Sequence, residues 1–313
     1  MASIRTRLFS KLMSLWLKRR LAEYEESELV KFIRQRTAPL RLLSLPFAKG
    51  IKLQPVNEYF ESGHVKGEWI HHETGNHRTI YFLHGGGYVA GSPATHRSFT
   101  IALSRAAKAD VFALDYRLAP EHRFPAAIDD AVNGYRWLLK QKGISHKNIV
   151  IGGDSAGGGL AIATLIALRD EGLPLPKAAV CLSPWTDLAG TGTSLTTNDG
   201  SDPMFHGDGV KKLASVYCHS EMQLNPLVSP IYADLKGLPP LLIYVSDIEI
   251  LLDDSVRLAK RARHCGAKAD LRIRSGLPHV WPIFIGLKLP EARESLAEIA
   301  SFIQLQFSTA DPE

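Results

Sequence analysis

The 313-residue chain has few of the features that mark secreted, metal-binding or membrane-spanning proteins. Its three cysteines, Cys181, Cys218 and Cys265, are odd in number, far apart and form no CxxC pair. Neither a disulfide framework nor a zinc site is therefore expected, and free thiols in a reducing cytoplasm are predicted. The longest unbroken apolar run, residues 238–245, has eight residues, far short of the roughly 20 that span a bilayer. The sequence predicts a cytoplasmic protein without integral membrane association.

Acidic residues are scarce in the first 50 residues. That segment has 11 Lys and Arg against 4 Glu, a net charge of +7, whereas the whole chain has +5. No basic stripe or nucleic-acid-binding motif is found on the rest of the chain, so no nucleic-acid partner is predicted. Leu8, Leu12, Leu15 and Trp16 recur at helical spacing, and Lys11 interrupts what would otherwise be a signal-peptide core. We therefore expect a solvated, amphipathic helical arm without a cleavable leader.

After the arm, short β-rich runs alternate with longer helical patterns. The predicted strands are 78–83, 110–114, 148–151, 178–182, 240–245 and 269–273. The predicted helices are 95–107, 125–141, 156–171, 253–264 and 290–305. This alternation predicts an α/β fold with a mostly parallel sheet covered by helices on both faces. Such sheets place their active sites beyond the carboxyl ends of the strands.

One connection breaks the alternation. Residues 185–239 separate two predicted strands and are rich in Gly, Ser, Thr, Asp and Pro. Connections of this length are usually inserted functional elements. We interpret this one as part of a lid.

The strongest local motif is Gly-Asp-Ser-Ala-Gly at 153–157, between a predicted strand and a predicted helix. A G-x-S-x-G sequence in this context is typical of the nucleophile elbow, in which the serine occupies a strained turn. Ser155 is therefore the predicted nucleophile, and the amide of Ala156 at the helix start can donate to an oxyanion. A phosphate-binding loop is excluded because no lysine follows the glycines.

A second motif, His-Gly-Gly-Gly at 84–87, follows the first predicted strand. Its glycines leave backbone N–H groups free to point at a ligand, as in the oxyanion loops of lipases and esterases. We expect Gly86 and Gly87 to contribute these groups. His84 is predicted to be structural, because in this fold the base follows the serine along the chain.

A serine nucleophile needs a base, and four histidines follow it: His206, His219, His264 and His279. His264 ends a basic helical stretch, and His206 and His219 lie in the inserted segment. His279 alone follows a predicted strand, in a loop that leads to an apolar helix. It is the predicted base.

The acid that orients the base should follow the preceding strand, where residues 247–254 contain four carboxylates. Asp253 and Asp254 fit the first turn of a helix, where acidic residues are favoured without any catalytic role. Asp247 and Glu249 remain. Chain order and strand position do not separate them.

Together these residues resemble the hormone-sensitive-lipase-like family of α/β-hydrolases, the bacterial family IV esterases. The matching motifs, between about residue 81 and residue 281, are HGGGYVAGS, DYRLAPEHRFPAA, GDSAGGGLA, SPWTDL, ILLDDS and GLPHVW. The family's acid opens a D-x-L-x-D-[DE] pattern, which the chain matches with Glu249 in first place. The resemblance thus implies that Glu249 is the acid and Asp247 the runner-up. Two departures are the Glu itself and the Val-Trp after His279, where many members have Gly-Phe.

The resemblance also implies a lid that combines residues 1–50 with the insertion at about 185–239, on a catalytic domain of residues 51–313. Family members are commonly dimers, so a homodimer is possible. From their neighbourhood to the motifs, Tyr88, Trp185 and Val280 are predicted to line the substrate pocket.

The sequence thus predicts a serine carboxylesterase for short- to medium-chain esters of small molecules, with a Ser-His-Glu triad and no metal or organic cofactor. A lipase and a small-molecule deacetylase are alternatives on the same scaffold. A ligand receptor of the gibberellin-receptor type is disfavoured, because all three triad residues are present.

Overall fold

A computed structural model describes residues 2–18, 24–38, 51–60, 63–72 and 78–309 of the chain, and the side chains of Trp16 and Leu17 lie outside the described part. An eight-stranded sheet forms its centre, in the order β1-β2-β4-β3-β5-β6-β7-β8. The strands are β1 (Lys52–Phe60), β2 (Gly63–His71), β3 (Thr79–Leu83), β4 (Asp110–Leu114), β5 (Ile149–Asp154), β6 (Ala178–Leu182), β7 (Leu241–Ser246) and β8 (Ala269–Arg274). Strands β3 to β8 run parallel to one another, whereas β2 pairs antiparallel with β4.

The six predicted strands are all present, whereas the hairpin β1–β2 was not predicted. It pairs antiparallel along its whole length and joins the sheet through β2 and β4. Only Val56 of β1 is buried, so this edge strand lacks the continuous apolar run that identifies the central strands. The central strands β3, β5, β6 and β7 are buried on both faces.

Helices cover both faces of the sheet. They are α1 (Ile4–Met13), α2 (Glu26–Thr37), α3 (Pro93–Ala107), α4 (Ala126–Lys140), α5 (Ala156–Asp170), α6 (Ser194–Thr197), α7 (Gly207–Tyr217), α8 (Leu252–His264) and α9 (Pro290–Ser308). The core on one face contains side chains from α4, α5 and α8, and the core on the other contains side chains from α3 and α9. The predicted α/β fold with a mostly parallel, doubly covered sheet is confirmed.

The N-terminal helix α1 is followed directly by a π-helical turn, Ser14–Lys18. One side of α1 is fixed to the body of the protein, since Thr6 donates a hydrogen bond to Glu291 (2.6 Å) and the ring of Phe9 packs edge-on against Phe284. The predicted apolar face behaves differently, because Leu8, Leu12 and Leu15 are exposed. The side of α1 that packs on the protein is therefore opposite to the apolar side that the leucine spacing indicated.

The insertion between β6 and β7 contains α6, α7 and two short 3-10 turns, Ser220–Met222 and Pro230–Tyr232. Its helix α7 packs beside α2 of the N-terminal segment. None of the helices that the structure describes combines the length and the apolar character that crossing a bilayer requires.

Candidate active site

Ser155 occupies a strained turn between β5 and α5. Its backbone has φ 52° and ψ −123°, a conformation that costs a non-glycine residue energy. The turn is held by its neighbours, because the Ser155 amide donates to the carbonyl of Leu182 (2.8 Å) and the Trp185 amide donates to the carbonyl of Ser155 (3.0 Å). At Gly157, a Cβ atom would lie 2.1 Å from the Leu83 carbonyl oxygen, so only glycine fits. The serine is thereby held at the carboxyl end of the sheet.

His279 lies in the loop after β8, and both it and Glu249 are buried. The Nδ1 atom of His279 is 2.5 Å from Oε2 of Glu249. Burial disfavours the charged imidazolium, but the negative charges of Glu249, Asp202 and Asp154 outweigh burial and raise the pKa of His279. Its other ring nitrogen, Nε2, is buried without a hydrogen-bond partner among the described residues.

Glu249 is held by two further hydrogen bonds. Its Oε1 atom accepts from the Ser183 hydroxyl (2.8 Å) and from the Ser246 amide (2.7 Å). Asp247, the other candidate, is exposed and accepts from the amide of Gly276 (2.9 Å). The turn after β7 thus directs Glu249 towards His279 and Asp247 towards the loop that carries the histidine.

The remaining carboxylates of this stretch support α8 and the insertion. Asp253 accepts hydrogen bonds from the Thr193 hydroxyl and the Ser194 amide (2.7 and 3.0 Å). Asp254 is buried and accepts from the amides of Thr186 and Asp187 (2.6 and 2.8 Å). Both residues lie in the first turn of α8, as expected from the sequence.

The other histidines lie apart from the pair of His279 and Glu249. His206 precedes α7 and is paired with Asp199 (3.0 Å), whereas His219 and His264 are exposed. His84 is buried and stacks on the ring of Tyr116 with ring centroids 4.2 Å apart. Burial is the main cause that lowers the pKa of His84 to about 4, so this ring is neutral near pH 7.

The glycine loop after β3 lies against the elbow. Gly86 has φ 120°, and a Cβ atom there would lie 2.2 Å from the Ala90 carbonyl oxygen. In the described part of the chain, the amides of Gly86, Gly87 and Ala156 have no protein acceptor. The two glycines and Ser155 line one cavity, and Ala156 is the first residue of α5. These amides could serve a ligand oxygen.

The cavity has a volume of about 390 Å³ and contains Ser155 and His279 in its wall. Most of its lining is apolar. From the N-terminal segment and the insertion, the apolar lining side chains are Phe9, Met13, Ile33, Trp185, Met204, Phe205, Val210 and Leu213, and the polar ones are Arg36 and Thr37. The ring of Phe205 stands edge-on to His279, with centroids 5.1 Å apart.

Of the three predicted pocket residues, Trp185 and Val280 line this cavity and Tyr88 does not. Tyr88 has a positive φ of 62°, and its buried ring stacks on Tyr217 with centroids 3.8 Å apart. The turn after the glycines thus directs this side chain into the core. Tyr88 is therefore corrected from a pocket residue to a core residue.

A buried pair that sequence reasoning missed lies beneath the glycine loop. Asp154 accepts a hydrogen bond from the Gly85 amide (3.0 Å), and its Oδ1 atom lies 3.3 Å from Nε2 of His96. Burial opposes both charges, but the attraction between them outweighs it, raising the pKa of His96 and lowering that of Asp154. The two residues are 58 positions apart, and no spacing rule connects them.

A second missed residue, Asp202, joins three segments. Its carboxylate accepts from the amides of Met204 (2.8 Å) and Ile250 (3.0 Å), and its carbonyl accepts from the Lys18 ammonium (2.8 Å). The N-terminal segment, the insertion and the loop of Glu249 meet here. Within the described ranges, no group of three or more His, Cys, Asp or Glu side chains is arranged to hold a metal ion.

Comparison with known proteins places this architecture in a family. The sequence profile of the alpha/beta hydrolase fold family matches residues 80–283. An acetyl-hydrolase from Streptomyces hygroscopicus is 42% identical over 250 residues, which cover 80% of this chain and 83% of the relative. The chain belongs to the α/β-hydrolase fold family.

Similarity to solved structures identifies the branch of the family to which the chain is related. A hormone-sensitive lipase from a metagenome library superposes with a TM-score of 0.86 at 36% identity and covers 98% of this chain and 100% of its own. The esterase EstE5, whose crystal was soaked with p-nitrophenyl butyrate, gives a TM-score of 0.87 at 37% identity, with the same coverage. The predicted resemblance to the hormone-sensitive-lipase-like branch is confirmed.

Proposed function

We propose that the chain is a serine carboxylesterase in which Ser155 is the nucleophile, His279 the base and Glu249 the acid. The enzyme class, a carboxylic ester hydrolase, follows from its relatives and structural neighbours. The observation that carries the assignment of residues is the buried contact of 2.5 Å between Glu249 and Nδ1 of His279. It leaves Nε2 of the same ring unpartnered at the wall of the cavity that Ser155 also lines.

In the first half of the reaction, the Ser155 hydroxyl attacks the ester carbonyl while Nε2 of His279 takes its proton. Glu249 accepts the hydrogen on Nδ1, which fixes the tautomer and stabilises the imidazolium that forms. The amides of Gly86, Gly87 and Ala156 stabilise the oxyanion of the tetrahedral intermediate. Their lack of acceptors among the described residues supports this role.

Release of the alcohol completes acylation, and hydrolysis of the acyl-enzyme follows. His279 gives its proton to the leaving alcohol, and an acyl-enzyme remains on Ser155. Water then attacks the acyl carbon while Nε2 of His279 takes a proton from it. The acid leaves, and Ser155 regains its hydroxyl hydrogen from the imidazolium.

The substrates proposed are small-molecule esters with short to medium acyl chains. The cavity of about 390 Å³ with mainly apolar walls suits an uncharged acyl group and offers limited length. The name of the Streptomyces relative and the ester soaked into EstE5 crystals both refer to short acyl groups. Residues 1–50 and about 185–239 are proposed as the lid, because both segments contribute apolar side chains to this cavity.

The test is a series of p-nitrophenyl esters from acetate to palmitate, assayed with the wild type, Ser155→Ala, Glu249→Ala and Asp247→Ala. We expect a maximum at short chains, no turnover by Ser155→Ala, a strong loss in Glu249→Ala and near-normal rates in Asp247→Ala. Thermal melting of each variant serves as the folding control. Wild-type rates in Ser155→Ala would refute the proposed nucleophile, and activation by substrate droplets would favour a lipase. The absence of turnover of any ester would favour a binding protein.

A further inference from the structure

The outer face of α1 carries an apolar stripe that no described residue covers. Ile4, Leu8, Leu12 and Leu15 are 76%, 60%, 53% and 65% exposed. These values are large for four apolar side chains on one short helical segment, because an amphipathic helix normally buries such a stripe. The stripe therefore has no intramolecular partner in the described part of the chain.

The helix is nevertheless fixed in place by its opposite side. Glu291 accepts hydrogen bonds from the Ser3 amide (2.5 Å) and the Thr6 hydroxyl (2.6 Å). Phe9 and Met13, which follow on this side, line the cavity of the candidate active site. Thus α1 has an inner face that packs on the protein and an outer apolar face that is held towards solvent.

Cations flank the stripe on both edges. At about 100° per residue, Ile4, Leu8 and Leu12 fall within an arc of ~80°. Arg5 lies beside one edge of that arc, and the exposed Arg7 and Lys11 lie beside the other. Residues 1–22 contain six Lys and Arg and no Asp or Glu. An apolar stripe between cationic edges is the pattern of helices that lie in the interface of an anionic membrane.

We propose that the outer face of α1, with Ile4, Leu8, Leu12 and Leu15 at its centre, docks the protein onto an anionic lipid surface. The ten residues of α1 extend only about 15 Å, half of a hydrocarbon core, so the helix lies along the surface. Anionic headgroups complement the flanking cations, and the leucines enter the acyl boundary. Because Phe9 and Met13 belong to the same helix, docking brings a wall of the cavity close to the lipid.

A second copy of the chain fits the stripe less well. The stripe consists of four side chains along about 17 Å of helix, whereas a standard interface engages about 20 to 30 residues on each partner. Two copies that met through this face would also bring their cationic edges together. Size and charge therefore favour the lipid surface.

Co-sedimentation with vesicles tests the proposal without reference to catalysis. The wild type is mixed with vesicles of equal parts phosphatidylglycerol and phosphatidylcholine, and in parallel with pure phosphatidylcholine. We expect binding to the anionic vesicles that falls with salt, and weak binding to the neutral ones. The variant Leu8→Gln/Leu12→Gln should lose roughly tenfold or more of this binding, and Arg7→Glu/Lys11→Glu a comparable amount.

The matched control is Leu224→Gln/Leu305→Gln, which removes two leucines of similar exposure, 61% and 59%, from other parts of the surface. It should bind as the wild type does, and so should Ser155→Ala, which separates docking from the proposed esterase activity. The proposal is overturned if the wild type does not bind anionic vesicles, or if the Leu8/Leu12 variant binds as well as the control. It is also overturned if size-exclusion chromatography finds a wild-type dimer that the Leu8/Leu12 variant loses, without vesicle binding.

Discussion

The hydroxyl of Ser183 donates a hydrogen bond of 2.8 Å to Oε1 of Glu249, the carboxylate oxygen that does not face His279. The same hydroxyl accepts a hydrogen bond from the amide of Val280, the residue after the histidine. One side chain just after β6 therefore contacts both Glu249, the proposed acid, and the loop of His279, the proposed base.

Replacing Ser183 by alanine should lower kcat with little change in KM. The variant removes a hydrogen bond to the buried carboxylate and to the loop of His279, so we expect a loss of about tenfold, or ~1.4 kcal/mol of transition-state stabilisation. Steady-state kinetics on a short-chain ester measure the effect. Ser301→Ala, on the exposed side of α9, is the control and should behave as the wild type. An unchanged kcat in Ser183→Ala would contradict this positioning role.

The rate should fall as pH decreases through the pKa of His279. A general base acts in its neutral form, and the surrounding carboxylates raise the pKa of His279 above its ordinary 6.5. The acidic limb of kcat/KM should therefore lie above pH 6.5 in the wild type. In Glu249→Gln, which removes one of the charges that raise this pKa, the residual activity should show the limb at lower pH. A wild-type limb below pH 6.5 would argue against this electrostatic account.

The pair of His96 and Asp154 should contribute stability within a defined pH range. Because the pKa of His96 is raised in the folded state, this residue contributes stability below about pH 6.5. The contribution is lost as the pH rises through the pKa of the folded state. Because the pKa of Asp154 is lowered in the folded state, this residue contributes stability above about pH 3.8. The contribution is lost as the pH falls through the pKa of the folded state. Asp154→Asn should thus be destabilised most between these limits, by roughly 3 kcal/mol. Denaturant unfolding at several pH values measures the difference, and a pH-independent difference would contradict the ion pair.

Substitution of Gly157 by alanine should prevent correct folding of the elbow. The added Cβ atom would meet the Leu83 carbonyl oxygen at 2.1 Å, and neither backbone can move without disrupting the sheet. We expect a large loss of soluble protein and of activity. The control is Gly200→Ala, where a Cβ atom meets nothing within 4 Å, and it should be neutral in melting temperature and rate. An active, stable Gly157→Ala would show that the turn tolerates a side chain.

The sequence predicted the central sheet well, because strands buried on both faces form continuous apolar runs that stand out from their surroundings. It missed the hairpin β1–β2, whose first strand buries only Val56 and therefore carries little apolar signal. For the acid, the residues alone left Asp247 and Glu249 open. The separation arises in the turn after β7, which exposes one side chain and buries the other.

Side-chain direction limited the remaining predictions. Tyr88 follows the glycine motif directly, yet its positive φ directs the ring into the core, which no neighbourhood argument anticipates. The leucine spacing of α1 identified a helix but not which side would pack on the protein. The contact between His96 and Asp154 joins a helix after β3 to the end of β5, so only the three-dimensional arrangement reveals it.

The junction at Asp202 connects the N-terminal segment, which lines the cavity, to the loop that carries Glu249. Lys18 of the N-terminal segment binds the backbone of residue 202, whose carboxylate in turn holds the amide of Ile250, next to Glu249. A movement that lifts the N-terminal segment away from the cavity therefore pulls on the loop that carries the carboxylate. If Glu249 is the acid that we propose, the cover of the cavity and the orientation of that acid share one support at residue 202.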